Sequence, residues 1–169
     1  MTSQIHYNGK LQIFLTQMLI YLIDNHKVTY EEFSELSNIT RKEFSKFMPS
    51  FKEMITDLKI NADILLKKDD TNIDNPGQFK SNIYYFRMID IDYSFAYEEL
   101  DEYKLIKYSM TIVYLMLKNH KHITSSYLSE IFPRFTRKTM QTLVSNLKEI
   151  VSDDIVKNEL SSYTFEQQI

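Results

Sequence analysis

The sequence predicts a mainly α-helical protein made of two tandem units, each with three helices followed by a small β-hairpin. Three observations lead there. Only two of the 169 residues are glycine and three are proline, too few for a sandwich, a barrel or any fold rich in tight turns. Hydrophobic residues make up 43% and aromatic residues 14%, which supplies enough apolar surface for cores and excludes wholesale disorder. Finally, the chain repeats itself. Tyr21-Leu22 matches Tyr114-Leu115, and Asn25-His26-Lys27 matches Asn119-His120-Lys121. Thr29, Ser34-Glu35-Leu36, Thr40-Arg41-Lys42 and Lys52-Glu53 then match Thr124, Ser129-Glu130-Ile131, Thr136-Arg137-Lys138 and Lys148-Glu149. The order is kept throughout while the offset drifts from 93 to 96, as expected where loops gain single residues.

Each element of the unit has a local cause. The first helix of copy one carries Leu11, Phe14, Leu15, Met18, Leu19 and Leu22 at helical spacing, and that of copy two carries Leu105, Tyr108, Ile112, Leu115 and Met116, with a start expected near Glu98. Asn-His-Lys ends both helices, where His26 and His120 can answer exposed carbonyls. Thr29 and Thr124 are N-caps for short second helices over Tyr30–Leu36 and Ser125–Ile131, and Glu32 completes a capping box with Thr29. Thr40 and Thr136 cap the third helices. Their buried stripes are Phe44, Phe47, Met48 and Phe51 in one, and Met140, Leu143, Val144, Leu147, Ile150 and Val151 in the other. Pro49 removes a backbone donor inside the first of these and is expected to kink it.

Strand-like runs follow. Residues 64–68 and 82–88 flank a turn-rich loop containing Asn75-Pro76-Gly77, which predicts a hairpin. A shorter pair is expected over Asp154–Lys157 and Ser162–Phe165. The predicted division is residues 1–89 for unit one, an acidic linker at 90–98, and residues 99–169 for unit two.

Composition narrows the chemistry. There is no cysteine, which removes disulfide frameworks, thiolate zinc sites and cysteine nucleophiles. Gly9 and Gly77 are far apart, so neither a dinucleotide fingerprint nor a phosphate loop can form. His120 and His122 lack further ligands at metal-site spacing, and no carboxylate pair or nucleophile–base set stands out. No enzyme activity, metal, cofactor or small-molecule ligand is expected. The longest apolar runs, 19–23 and 111–117, are far shorter than the ~20 residues that cross a bilayer, and the N-terminus does not read as a secretion signal. A soluble cytoplasmic protein without membrane contact is the expectation.

Net charge is −3. Residues 1–89 hold eleven basic and eleven acidic side chains, whereas residues 90–169 hold nine and twelve. Much of the acid falls at Asp90, Asp92, Glu98, Glu99, Asp101 and Glu102, so the remainder of the chain is locally more basic than the total suggests. Opposite their apolar stripes stand Lys42, Ser45 and Lys46 with Arg41 at the flank, and Lys138, Gln141, Thr142 and Ser145 with Arg137. Lys, Arg and Gln can bond base edges, and Ser and Thr suit bases or phosphates. Lys67, Lys68 and Lys80 place further charge along the first hairpin, where it could neutralise phosphates. A capped helix with a basic first turn can also be merely a helix with a solvated face. Cations at a helix N-terminus oppose its dipole, however, and that placement occurs twice.

The run from Thr136 to Leu147, a Thr cap followed by Arg137-Lys138 and spaced aliphatics, resembles the third helix of DeoR-type and Mga-type winged helix-turn-helix regulators. Thr124 to Ile131 is similar to the helix that such proteins place before the turn, and the tandem pair resembles the N-terminal part of Mga-type proteins. The resemblance implies a sequence-specific regulator of transcription that binds double-stranded DNA, as one molecule or as a homodimer, with third helices in the major groove and wings on phosphates. Abundant Ile, Lys, Asn and Tyr resembles the composition of AT-rich bacteria and their phages. The rival reading is a winged-helix adaptor similar to ScpB-type partners of chromosome-organising complexes, which contacts protein rather than DNA. The sequence leaves open the operator, activation versus repression, the oligomeric state and the regulated genes. It also leaves open whether unit one reads bases or only supports unit two.

Overall fold

The computed structural model describes residues 9–68, 82–90, 97–119 and 124–161. Compactness divides the chain into two units, Met18–Asp92 and a second that joins Met1–Gln17 to Tyr93–Ile169. The first helix, α1 (Gly9–Asn25), contributes to both.

In the unit Met18–Asp92 the second half of α1 is followed by β1 (Lys27–Val28), α2 (Tyr30–Ser34), α3 (Arg41–Asp57), β2 (Asn61–Lys68) and β3 (Asn82–Asp90). The strands form one antiparallel sheet in the order β1-β3-β2. Lys27 lies opposite Tyr85 and Val28 opposite Tyr84. The hairpin β2–β3 pairs Asp63 with Arg87, Leu65 with Tyr85 and Lys67 with Ile83, and slips by one residue at Asn61/Ala62. The hairpin matches the sequence reading; β1 is new. Its two residues are too few to leave a pattern, and it depends on the turn at His26. That residue adopts φ 63°, donates its N–H to Leu22 O at 2.9 Å and accepts from Phe86 N at 2.7 Å. The left-handed turn stops α1 and delivers the chain to the sheet.

Thr29 and Thr40 cap α2 and α3 as expected, accepting from Glu32 N and Glu43 N. The reciprocal capping box forms at Thr40, whose N–H donates to Glu43 Oε1 at 3.1 Å. At Thr29, where the box was predicted, the Glu32 carboxylate instead accepts from the Thr29 hydroxyl and the Tyr21 hydroxyl. The helix α2 also ends at Ser34, before the expected Leu36, because the Leu36 and Ser37 N–H groups both turn back to Phe33 O.

The helix α3 continues through Pro49. Pro49 stands on the exposed side, so the Ser45 carbonyl that it leaves without a donor faces water, where its loss costs least. At the other end Lys59, at φ 54°, makes a Schellman close: Lys59 N bonds Thr56 O and Ile60 N bonds Ile55 O, with Ile55 and Ile60 both buried. The core is strongly aromatic. Tyr21 meets Phe33 edge-on, Phe44 packs on Phe33, Tyr30 and Tyr84 with centroids 5.7–6.1 Å apart, and these rings join α1, α2, α3 and β3.

In the other described unit the first half of α1 is joined by a short 3-10 turn (Tyr97–Glu99), α4 (Glu102–Lys107), α5 (Ser109–Lys118), α6 (Ser125–Ile131), α7 (Arg137–Ile150) and α8 (Asp154–Ser161). Every residue from Ser109 to Leu117 is buried, and α5 packs on α4, α7 and α8. Two sequence expectations need correction. The first helix of the second copy begins at Glu102 behind an Asp101 cap, not near Glu98, and breaks at Tyr108 into α4 and α5. Asp154–Lys157 is not a strand but the start of α8. Val156 and Leu160, four residues apart, bury one face, and Asp153 Oδ1 accepts from Ile155 N and Val156 N at the helix start. A capped i, i+4 pattern therefore outweighs the β-propensity of two adjacent branched residues. The expected partner strand, Ser162–Phe165, lies outside the described residues.

Buried polar groups tie α1 to α4 and α5. Gln12 Nε2 donates to Ile106 O at 2.8 Å, Ser109 Oγ lies 2.8 Å from Gln12 Oε1, and the hydroxyls of Thr16 and Thr111 are 2.9 Å apart. Each side chain so satisfied avoids the penalty of an unpaired buried polar group.

Candidate nucleic-acid interface

In each unit, two Thr-capped helices separated by a short turn bring the sequence-predicted residues to the surface. On α3, Phe44, Phe47, Met48 and Phe51 fill the core, which obliges the positions between them to face outward. Lys42, Ser45 and Lys46 stand there on adjacent turns, all exposed. Among the described residues neither lysine forms an ion pair, so two cations share one helix face without an internal counter-charge. Arg41 differs. Its guanidinium bonds the Glu31 carboxylate and lies 4.6 Å from the centre of the Tyr30 ring, so α2 holds it. That contact spends Arg41 on joining α2 to α3.

On α7, Met140, Leu143, Val144 and Leu147 are buried, and Arg137, Lys138, Gln141, Thr142 and Ser145 are exposed. No acidic residue stands in the first turn, so two cations, Arg137 and Lys138, occupy the positive end of the helix, where Thr136 Oγ1 accepts from Thr139 N. Among these residues Thr142 is engaged internally, its hydroxyl donating to Lys138 O at 2.9 Å. The amide of Gln141 stays on the outer face between Lys138 and Ser145. Arg134, in the turn before α7, bonds the Glu102 carboxylate. Sequence reasoning singled out neither of these tethering pairs. Glu31 and Arg41 are ten residues apart, Glu102 and Arg134 thirty-two, and no local spacing announces either.

The hairpin residues separate. Lys67 is exposed on the outer sheet face, with its ammonium 5.4 Å from the Tyr85 ring centre. Lys68 ends β2 opposite Asn82, and Lys80 lies outside the described residues. The second copy has no counterpart hairpin among its described residues. Lys157, expected on a wing, is exposed on α8.

Other chemistry is sparse. Among the described residues no three His, Cys, Asp or Glu side chains gather as metal ligands would, and no helix is long and apolar enough to cross a membrane. An open groove of about 470 Å³ runs between Glu98, Leu100, Glu102, Leu105, Tyr127, Glu130, Ile131 and Pro133. Glu102 there is held by Arg134, while the carboxylates of Glu98 and Glu130 suit a basic partner and would repel phosphates. Lys118 Nζ bonds Asp153 Oδ2 at 2.7 Å and holds that carboxyl below its ordinary pKa, helped by the N–H groups of α8. No family of known proteins matches this chain, nor does any curated protein or solved structure.

Proposed function

We propose that this protein binds double-stranded DNA as a transcriptional regulator, with α3 and α7 as its two reading helices. The observation that carries the proposal is the outer face of α3, where Lys42 and Lys46 stand exposed without ion pairs among the described residues while the opposite face is apolar. A recognition helix requires that division, one side docked on its own domain and the other presenting donors to base edges and phosphates. The order of elements in Met18–Asp92, with its sheet order β1-β3-β2, supports reading this unit as a winged helix-turn-helix. The α6–turn–α7 segment supports a second reading head, without a wing among the described residues, with Lys138, Gln141 and Ser145 toward the groove.

The acidic groove beside α6 favours one other reading, an adaptor that grips a basic protein segment. Titrating the purified chain into a labelled pool of genomic fragments at low salt separates the two. Retention of a reproducible subset of fragments is expected for a regulator. No binding at micromolar protein would leave the adaptor.

A further inference from the structure

We propose that the chain forms a symmetric dimer by pairing β2 antiparallel with β2 of a second copy, with Leu65 lying opposite Leu65. In the sheet order β1-β3-β2, β3 satisfies one side of β2, and among the described residues no strand lies on the other. An eight-residue edge is a template for another strand. It also carries an exposed leucine on each face. Leu65 is 57% exposed on the outer face and Leu66 47% exposed on the inner one. Tyr85, the cross-strand partner of Leu65, is also exposed, which extends the apolar strip across the hairpin.

The occupant is argued from the register. In an antiparallel pair centred on Leu65, Asp63 of each copy stands opposite Lys67 of the other, and Ile64 stands opposite Leu66. Opposite charges directly across a ladder stabilise it and like charges disfavour it. Within its own sheet Asp63 already meets Arg87 at 3.2 Å. The joined sheet would thus set a row Arg87–Asp63–Lys67–Ile83, beside a row in which Tyr85 and Leu65 of one copy continue into Leu65 and Tyr85 of the other. Shifting the centre to Ile64 sets Asp63 against Leu65, and shifting it to Leu66 sets Lys67 against Leu65; both lose the complementarity. A two-fold axis through the sheet makes each contact occur twice. Lys67, expected from sequence to meet DNA phosphates, then serves the interface.

Because the chain has no cysteine, a Leu65→Cys variant reports the register directly. Opposed residues in antiparallel pairs have Cα atoms ~4.5–5.5 Å apart, within disulfide range. Mild oxidation should link most of this variant into a covalent dimer, whereas an Ile155→Cys control, equally exposed on α8, should stay mostly monomeric. Light scattering on the unmodified chain at tens of micromolar should give twice the monomer mass. Asp63→Lys and Lys67→Asp should each weaken dimerisation at least tenfold, and the double variant should dimerise more tightly than either, with circular dichroism confirming that all are folded. A monomeric native chain, a Leu65→Cys variant that links no faster than the control, or a double variant no tighter than the singles would each overturn the proposal. It does not rest on DNA binding, since a dimer that ignores DNA would support the interface and end the proposed function alone.

Discussion

Asp153 performs two tasks with one carboxylate. One oxygen caps α8 by accepting from Ile155 N and Val156 N, and the other bonds Lys118 Nζ at 2.7 Å. Both favour the charged form, so its pKa lies below the ordinary 3.8. The stabilisation is therefore complete above the unfolded value and is lost as pH falls through the folded one. Asp153→Ala is expected to destabilise the protein by about 1 kcal/mol at neutral pH, with the gap from the native chain narrowing below about pH 4. Chemical denaturation of both proteins at pH 7 and pH 3 checks this, and equal gaps would contradict it. The buried hydroxyl pair gives a second test. Thr16→Val alone should cost about 1–3 kcal/mol because it strands Thr111, whereas changing both to Val should cost less than the sum of the singles. A thermal-melt double-mutant cycle measures the difference.

At the scale of elements, legibility followed sequence distance. All four threonine caps sit where the repeat placed them, since a cap is settled within three residues. The buried stripes of α3 and α7 were equally plain, because a 3.6-residue period is written along the helix itself. Two residues of β1 were not legible, since they become a strand only through Tyr84 and Tyr85, more than fifty positions later. Nor was α8, where Ile155-Val156 suggested a strand until Val156 and Leu160 found a common buried face. In the candidate site, the exposed residues of α3 and α7 could be listed from periodicity, but the capture of Arg41 by Glu31 and Tyr30 could not. If α7 reads bases, Lys138→Ala and Gln141→Ala should each lower specific affinity by about 1–3 kcal/mol. Both side chains are exposed, so melting temperatures should not move. A melting change in the Gln141 variant would show that its amide serves packing instead.

For the whole molecule, the internal repeat is structural through its third helix and then diverges. One copy closes with a hairpin of eight and nine residues, and the other continues as α8. A shared core plan with different endings gives each unit its own Thr-capped third helix but gives Met18–Asp92 alone a described hairpin. The net charge of −3 does not decide against a polyanion partner, because attraction depends on where cations stand. Acid concentrates around residues 98–102, and Lys42 and Lys46 stand on α3 without ion pairs among the described residues.

The most direct measurement is the salt dependence of affinity for a bound DNA fragment, compared between the native chain and a Lys42→Ala/Lys46→Ala variant. Each phosphate neutralised contributes about 0.9 to the slope of log affinity against log salt. If these lysines contact the backbone, the native chain should show a steep fall and the variant a slope shallower by roughly 1–2, with its melting temperature unchanged. An identical slope for a folded variant, or no binding by the native chain at any salt concentration, would contradict the proposed role of α3.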